Sequence, residues 1–280
     1  MTEEDKAQMF VDIMPEGPED DGVAYLNFYL EEDADKDVIL RDVRNALEEL
    51  RTFMDIGEGT IEESQTEDKD WINNWKEFFH QFYVDDILIV PSWEEIKEED
   101  KDKMILHIDP GTAFGTGMHE TTQLVIRQLK KYVKPGIALL DVGTGSGILG
   151  ITALKLGAGH VVGTDLDPCA VPAVQDNKEA NQIVDDTFDM MIGNIIDDKE
   201  VQDQVGYEKY DIVAANILAD VLVPLTPVIV HQMKKGAYYI TSGILDVKEE
   251  VVKEAVQKAG LTLVEVTRQG EWVCVTARKD

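Results

Sequence analysis

The sequence predicts an α/β protein built on a mostly parallel, doubly wound sheet and preceded by a small α+β module. Three observations carry this. From about residue 104 onward, short apolar runs alternate with segments of helical spacing, the pattern of strands covered on both faces by helices. The stretch Asp141-Val142-Gly143-Thr144-Gly145-Ser146-Gly147 places three glycines at every second position between a strand and a helix. The last two strands are separated only by Arg268-Gln269-Gly270-Glu271, too short for a crossover, so they must pair as a hairpin and bring one antiparallel strand into the sheet.

Taken in order, Val23 to Leu30 alternates like a half-buried strand, and Ile39 to Phe53 carries Leu40, Val43, Leu47 and Leu50 at helical intervals. Trp71, Trp75, Phe78, Phe79 and Phe82 form an aromatic stripe at helical spacing, which reads as core. Ile87-Leu88-Ile89-Val90 is a strand stopped by Pro91. Glu94 to Lys103 is a charged run expected to link, and to hinge, two domains, giving a first domain over 1–93, a linker over 94–103 and a second domain over 104–280. In the second domain strands are expected at 104–108, 137–142, 160–165, 188–192, 210–215, 236–241, 261–267 and 272–277. Helices are expected near 119–132, 147–157, 168–181, 219–233 and 246–259.

Composition narrows the function. The 280 residues carry a net charge of −30, and the first hundred hold 31 acidic against 8 basic side chains. Such a surface repels phosphate backbones, which argues against direct nucleic-acid binding; it either attracts a basic protein or serves solubility. No apolar run has the length of a membrane span, and the acidic start Met1-Thr2-Glu3-Glu4-Asp5 is unlike a signal peptide, so a cytoplasmic location is expected. Cys169 and Cys274 form no paired motif, so both are expected as packed thiols and no metal site is indicated.

The glycine loop reads as a nucleotide-type cofactor site, since glycine allows left-handed turns and close approach of a ligand at a helix N-terminus. A dinucleotide fingerprint would need a third glycine or alanine where Ile148 stands, which weakens that reading. His160 to Thr164 is a second apolar run, ending on Asp165 one βαβ unit after the loop; an acid there can accept hydrogen bonds from both hydroxyls of a ribose. Asp167-Pro168 is assigned the cap of the next helix.

Four segments bring the reading to a family. They are Asp141 to Gly147, the string from Asp109-Pro110-Gly111 through Phe114-Gly115-Thr116-Gly117 to His119-Glu120-Thr121-Thr122, Asn216-Ile217-Leu218 after the fourth strand, and Trp71 to Lys76. Together they resemble the bacterial ribosomal protein L-eleven methyltransferase family, PrmA. The resemblance covers roughly residues 68–280 and implies a class I, Rossmann-like S-adenosylmethionine (SAM) methyltransferase domain with a seven-stranded sheet. It further implies methylation of amino groups, lysine side chains and an N-terminal α-amine, on a large-subunit ribosomal protein; that partner is expected to be basic and the enzyme a monomer. Carried over by position, Thr122, Gly143, Asp165 and Asn216 would bind SAM. Asp141 would face its ammonium group, Gly145 would complete the loop, and Asn216 would act in catalysis. Asn194 is a candidate adenine contact or a strand terminator, and His119 a candidate base or a structural hydrogen-bonder. The family usually begins with a longer recognition domain, so the N-terminal part is expected to be abbreviated. A different protein or small-amine acceptor, or an inactive SAM-binding module, are the alternative functions.

Overall fold

The computed structural model describes residues 30, 35–53, 56–57, 59–61, 79–109, 115–183 and 185–280. The chain divides into two compact units, Met1–Thr66 and Glu67–Asp280.

In the first unit, helix α1 (Lys36–Leu50) begins where Asp35 accepts a hydrogen bond from the Val38 N–H at 3.2 Å, satisfying one of the free donors of the first turn. Leu40, from the expected apolar stripe, is buried. Of the strand expected over Val23 to Leu30 only Leu30 is described, and Trp71, Trp75 and Phe78 also lie outside the described residues.

The second unit opens with a three-stranded sheet of β1 (Phe82–Val84), β2 (Ile87–Val90) and β3 (Met104–His107). β1 and β2 form a hairpin turning at Asp85, and β3 lies parallel to β2. Two expectations are corrected here. The run over 94–103 is the connection between two strands of one sheet, not a linker between units, and β3 belongs to this sheet rather than to the large one. Parallel neighbours need a connection of about a dozen residues, which Pro91 to Lys103 supplies. Phe79, from the aromatic stripe, is buried and meets Phe82 edge-on at 6.1 Å.

Helix α2 (Glu120–Tyr132) leads into the main sheet. Its elements are β4 (Ala138–Val142), α3 (Ile148–Lys155), β5 (His160–Asp165), α4 (Ala170–Ala180), β6 (Phe188–Ile192), α5 (Lys199–Val205), β7 (Tyr210–Asn216), α6 (Ala219–Ile229), β8 (Met233–Leu245), α7 (Glu249–Lys258), β9 (Leu261–Gln269) and β10 (Trp272–Lys279). The strand order is β6-β5-β4-β7-β8-β10-β9, with β10 antiparallel to both of its neighbours and β4 to β8 parallel to one another. The seven-stranded, mostly parallel sheet and its closing hairpin are therefore as expected. Helix α5 was not anticipated; it is short, and its signal is Asp198, whose carboxylate accepts from the Glu200 N–H at 2.8 Å.

The apolar residues of the sheet divide between its faces. Leu139 of β4 packs with Leu124 and Leu129 of α2, Ile151 of α3, Val174 of α4 and the small sheet's Ile89 and Leu106. Leu140 and Val142 pack on the other face with Val201 of α5, Leu222 and Leu225 of α6 and Val252 of α7. This alternation is what a strand's two-residue period requires. It leaves the carboxyl ends of β4, β5 and β7 side by side at one edge, where open α/β sheets bind their ligands.

Candidate active site

Asp141 to Gly147 wind between the ends of β4 and β5. The N–H groups of Gly143 and Thr144 both donate to the Thr164 carbonyl, at 2.8 and 3.1 Å, and the Gly145 N–H donates to Asp165 Oδ2 at 2.8 Å. Thr144 and Ser146 are buried, while Gly143 and Gly145 are partly exposed. Gly143 has a φ of 74°, and a Cβ there would lie 2.5 Å from Ile217 Cγ2, so the backbone angle and the space both demand glycine. The result is a bare backbone cradle at the start of α3.

Asp165 is half-buried at the end of β5, its second oxygen accepting from the Asp167 N–H at 3.0 Å. A carboxylate has about four lone-pair positions, so two remain for a diol. Asp167 accepts from the Cys169 N–H at 2.9 Å, but this bond closes the turn before α4; the N-cap of that helix is Cys169, a correction to the cap expected of Asp167, because the chain makes one further turn before the helix starts.

Asp141 lies beneath the cradle, wholly buried. Its Oδ2 accepts from the Gly150 N–H at 3.2 Å, one of the free donors of the first turn of α3. Its Oδ1 has no partner among the described residues, and burial pushes the carboxyl up to about 8. An ammonium against Oδ1 would supply the missing partner, so the residue fits the cationic end of SAM. The sign of its effect on stability follows. With the folded value above the ordinary 3.8, the folded state holds the extra proton, so the stabilising contribution is complete below pH 3.8 and gone above about pH 8. Without cofactor, the melting temperature is expected to fall as pH rises from 6 to 8.5, and Asp141→Asn should flatten that slope in a scanning-calorimetry series. An unchanged slope in the variant would show that Asp141 is ionised throughout.

Asn216 ends β7, and its Nδ2 donates to Thr122 Oγ1 at 3.1 Å across 94 positions of sequence. Thr122 is buried in the first turn of α2. This bond leaves Asn216 Oδ1, which takes no bond from a described residue, as an oriented acceptor at the sheet edge. His119 caps α2: its Nδ1 accepts from the Thr121 N–H at 3.3 Å, and its ring meets Trp272 edge-on at 4.9 Å. Of its two candidate roles the structural one is the one occupied. Asn194 follows β6 in a turn, with Oδ1 accepting from the Ile196 N–H and Nδ2 donating to Asp197, both at 3.0 Å. Both bonds serve the turn that ends the strand, and one N–H and one lone pair of the amide are left over.

Two polar residues passed over in the sequence adjoin the cradle. Ser146 Oγ donates to the Gly115 carbonyl at 2.5 Å, and Asn177 Nδ2 donates to the Ser146 carbonyl at 2.9 Å. Cys274 is buried, its thiol pushed up to about 12 by burial, whereas Cys169 is exposed, a correction to the expectation of two packed thiols. Cys169 stands at the surface because the turn that carries it, between β5 and α4, lies outside the core. Among the described residues no three His, Cys, Asp or Glu side chains stand where they could hold a metal ion, and no helix is long and apolar enough to cross a membrane.

The model of the family described as ribosomal protein L11 methyltransferase (PrmA) matches residues 2–280. The chain belongs to this family. A ribosomal protein L11 methyltransferase of Agathobacter rectalis is 54% identical over 283 residues, covering all of this chain and 88% of the relative. One from Lachnospira eligens is 56% identical over 280 residues with the same coverage. The crystal structure of the ribosomal protein L11 methylase from Lactobacillus delbrueckii subsp. bulgaricus superposes with a TM-score of 0.64 at 31% identity, over 72% of this chain and all of that one. The fold is that of the SAM-dependent methyltransferases, and SAM is the family's cofactor.

Proposed function

We propose that this chain transfers methyl groups from SAM to amino groups of ribosomal protein L11, both lysine side chains and the N-terminal α-amine. The reading is supported by the names of its relatives and, in the site, by one arrangement: Asn216, at the carboxyl end of β7, is held by Thr122 through its Nδ2, which leaves its Oδ1 for a substrate. Asp165 is assigned the ribose hydroxyls, Gly143 and Gly145 the close backbone contact, and Asp141 the ammonium of the methionine part. When bound, SAM supplies a methyl group already activated on a sulfonium, so no residue of the chain need form a covalent intermediate.

The chain's own task is to hold a neutral amine in line. At pH 7 neutralising a lysine of ordinary pKa costs roughly 4.6 kcal/mol, and an α-amine only about 1 kcal/mol. Asn216 Oδ1 accepts one N–H of the neutral amine and thereby directs its lone pair toward the methyl carbon; the proton has left to water beforehand. Holding the amine at that distance and angle contributes through orientation rather than through a base. The acidic first hundred residues suit a basic protein partner; a cytoplasmic, monomeric enzyme is part of the same proposal.

Intact-mass measurement of isolated ribosomal protein L11 after incubation with the chain and SAM tests the proposal. The expected result is a ladder of added single methyl groups, with fragment masses locating them on lysine side chains and the N-terminus. Label from SAM appearing on other ribosomal proteins while L11 stays unmodified would reject the substrate.

A further inference from the structure

β3 is an edge strand: β2 lies along one side of it, and the Ile108 N–H donates to the Val90 carbonyl on that side at 3.1 Å. Residues 107 and 109 therefore turn their backbone groups the other way, toward α4. Two buried amides meet them, one from α4 and one from its C-cap residue. Asn181 Oδ1 accepts from the His107 N–H at 3.0 Å while its Nδ2 donates to the His107 carbonyl at 2.6 Å, and Asn177 Oδ1 accepts from the Asp109 N–H at 3.0 Å. Asn177 and Asn181 are 2% and 3% exposed. The match is geometric: two residues of strand advance about 6.6 Å and four residues of helix about 6 Å, so side chains at i and i+4 stand opposite strand residues at i and i+2. The amides complete the open edge as a fourth strand would.

Asn177 does more than its neighbour. Its Nδ2 donates to the Ser146 carbonyl at 2.9 Å, and Ser146 Oγ donates to the Gly115 carbonyl at 2.5 Å. Asp109 and Gly115 are thus both tied to one pair of mutually bonded residues, of which Ser146 belongs to the glycine cradle. The fit at Gly115 is close, since a Cβ there would lie 2.7 Å from Ser146 Oγ, and at Gly117 a Cβ would lie 2.7 Å from Ile148 Cδ1. Neither Asn177 nor Ser146 has a side-chain atom at the exposed part of the cradle; both are buried.

We propose that Asn177, acting through Ser146, is a positioning residue for SAM: it fixes the Gly115–Gly117 turn and the Gly145–Gly147 backbone relative to each other, and so sets the cofactor cradle without touching the cofactor. Asn181 holds the strand edge and, by its Nδ2 to the Asn177 carbonyl at 2.8 Å, the end of α4; neither bond reaches the cradle, so it serves as the internal control. The proposal rests on the assignment of SAM to this cradle.

The test measures SAM affinity by titration calorimetry and melting temperature by scanning calorimetry on the full chain. Asn177→Ala and Ser146→Ala are each expected to raise the SAM dissociation constant about tenfold, the effect of losing one or two net hydrogen bonds that preorganise the site. Asn181→Ala is expected to lower the melting temperature while leaving SAM affinity within about twofold. Ser146→Ala removes a single hydroxyl and keeps the reading available if Asn177→Ala does not fold. SAM affinity within about twofold of the unsubstituted chain in Ser146→Ala would overturn the proposal, as would an Asn181→Ala variant weakened as much as Asn177→Ala. Failure of the unsubstituted chain to bind SAM would overturn the cofactor assignment, and the proposal with it.

Discussion

Asp165→Ala is expected to raise the dissociation constant for SAM by about two to four orders of magnitude, because hydrogen bonds to a charged group each contribute roughly 1.5–3 kcal/mol and the ribose would lose two of them. The substitution also removes the acceptor of the Gly145 N–H, bonded at 2.8 Å, so one glycine of the cradle loses the contact that holds its peptide in place. Asp165→Asn separates these effects. It keeps one acceptor oxygen but no charge, and an intermediate loss of about tenfold is expected. Titration calorimetry reads both, and undiminished affinity in Asp165→Ala would remove the ribose from Asp165.

Asn216→Ala is expected to act on the reaction rather than on the cofactor. The turnover number should fall about a hundredfold, the usual scale for deleting one oriented polar group at a reacting centre, while SAM affinity changes by less than about tenfold. Thr122→Val, which keeps the shape but removes the oxygen bonded at 3.1 Å, should give a smaller loss of the same kind by freeing the Asn216 amide. Single-turnover measurements at saturating SAM distinguish the outcomes. Full turnover with weakened SAM binding would leave Asn216 a cofactor contact and nothing more.

What could be read from residue order alone follows the range of the signal. The cradle was legible because Gly143, Gly145 and Gly147 answer to local backbone angles, and Asp165 because it ends the next strand of the same βαβ unit. The closing hairpin was legible because Arg268 to Glu271 leaves no length for a crossover. The placing of β3 was not, since an apolar run of four or five residues suits either sheet and only its partner decides. Asn194 and His119 each carried two readings because a side-chain amide or imidazole serves a turn or a ligand equally well until its neighbours are in place. Asn177 and Asn181 did leave a signal, two amides at i and i+4 on a helix, but polar residues at that spacing ordinarily face solvent.

By itself, then, the sequence determined the alternation of strands with helices, the glycine turn after β4 and the family, the first two from neighbours within a few tens of residues and the third from local motifs read together. Only the tertiary structure decided that 94–103 joins two strands of one sheet, that Asp141 is buried with one oxygen unpaired, that Thr122 anchors Asn216, and that Asn177 ties Asp109 to the cradle. The physical reason is common to these four. Each depends on what a polar group or strand edge meets after distant segments pack, and a buried donor or acceptor takes the partner that packing presents.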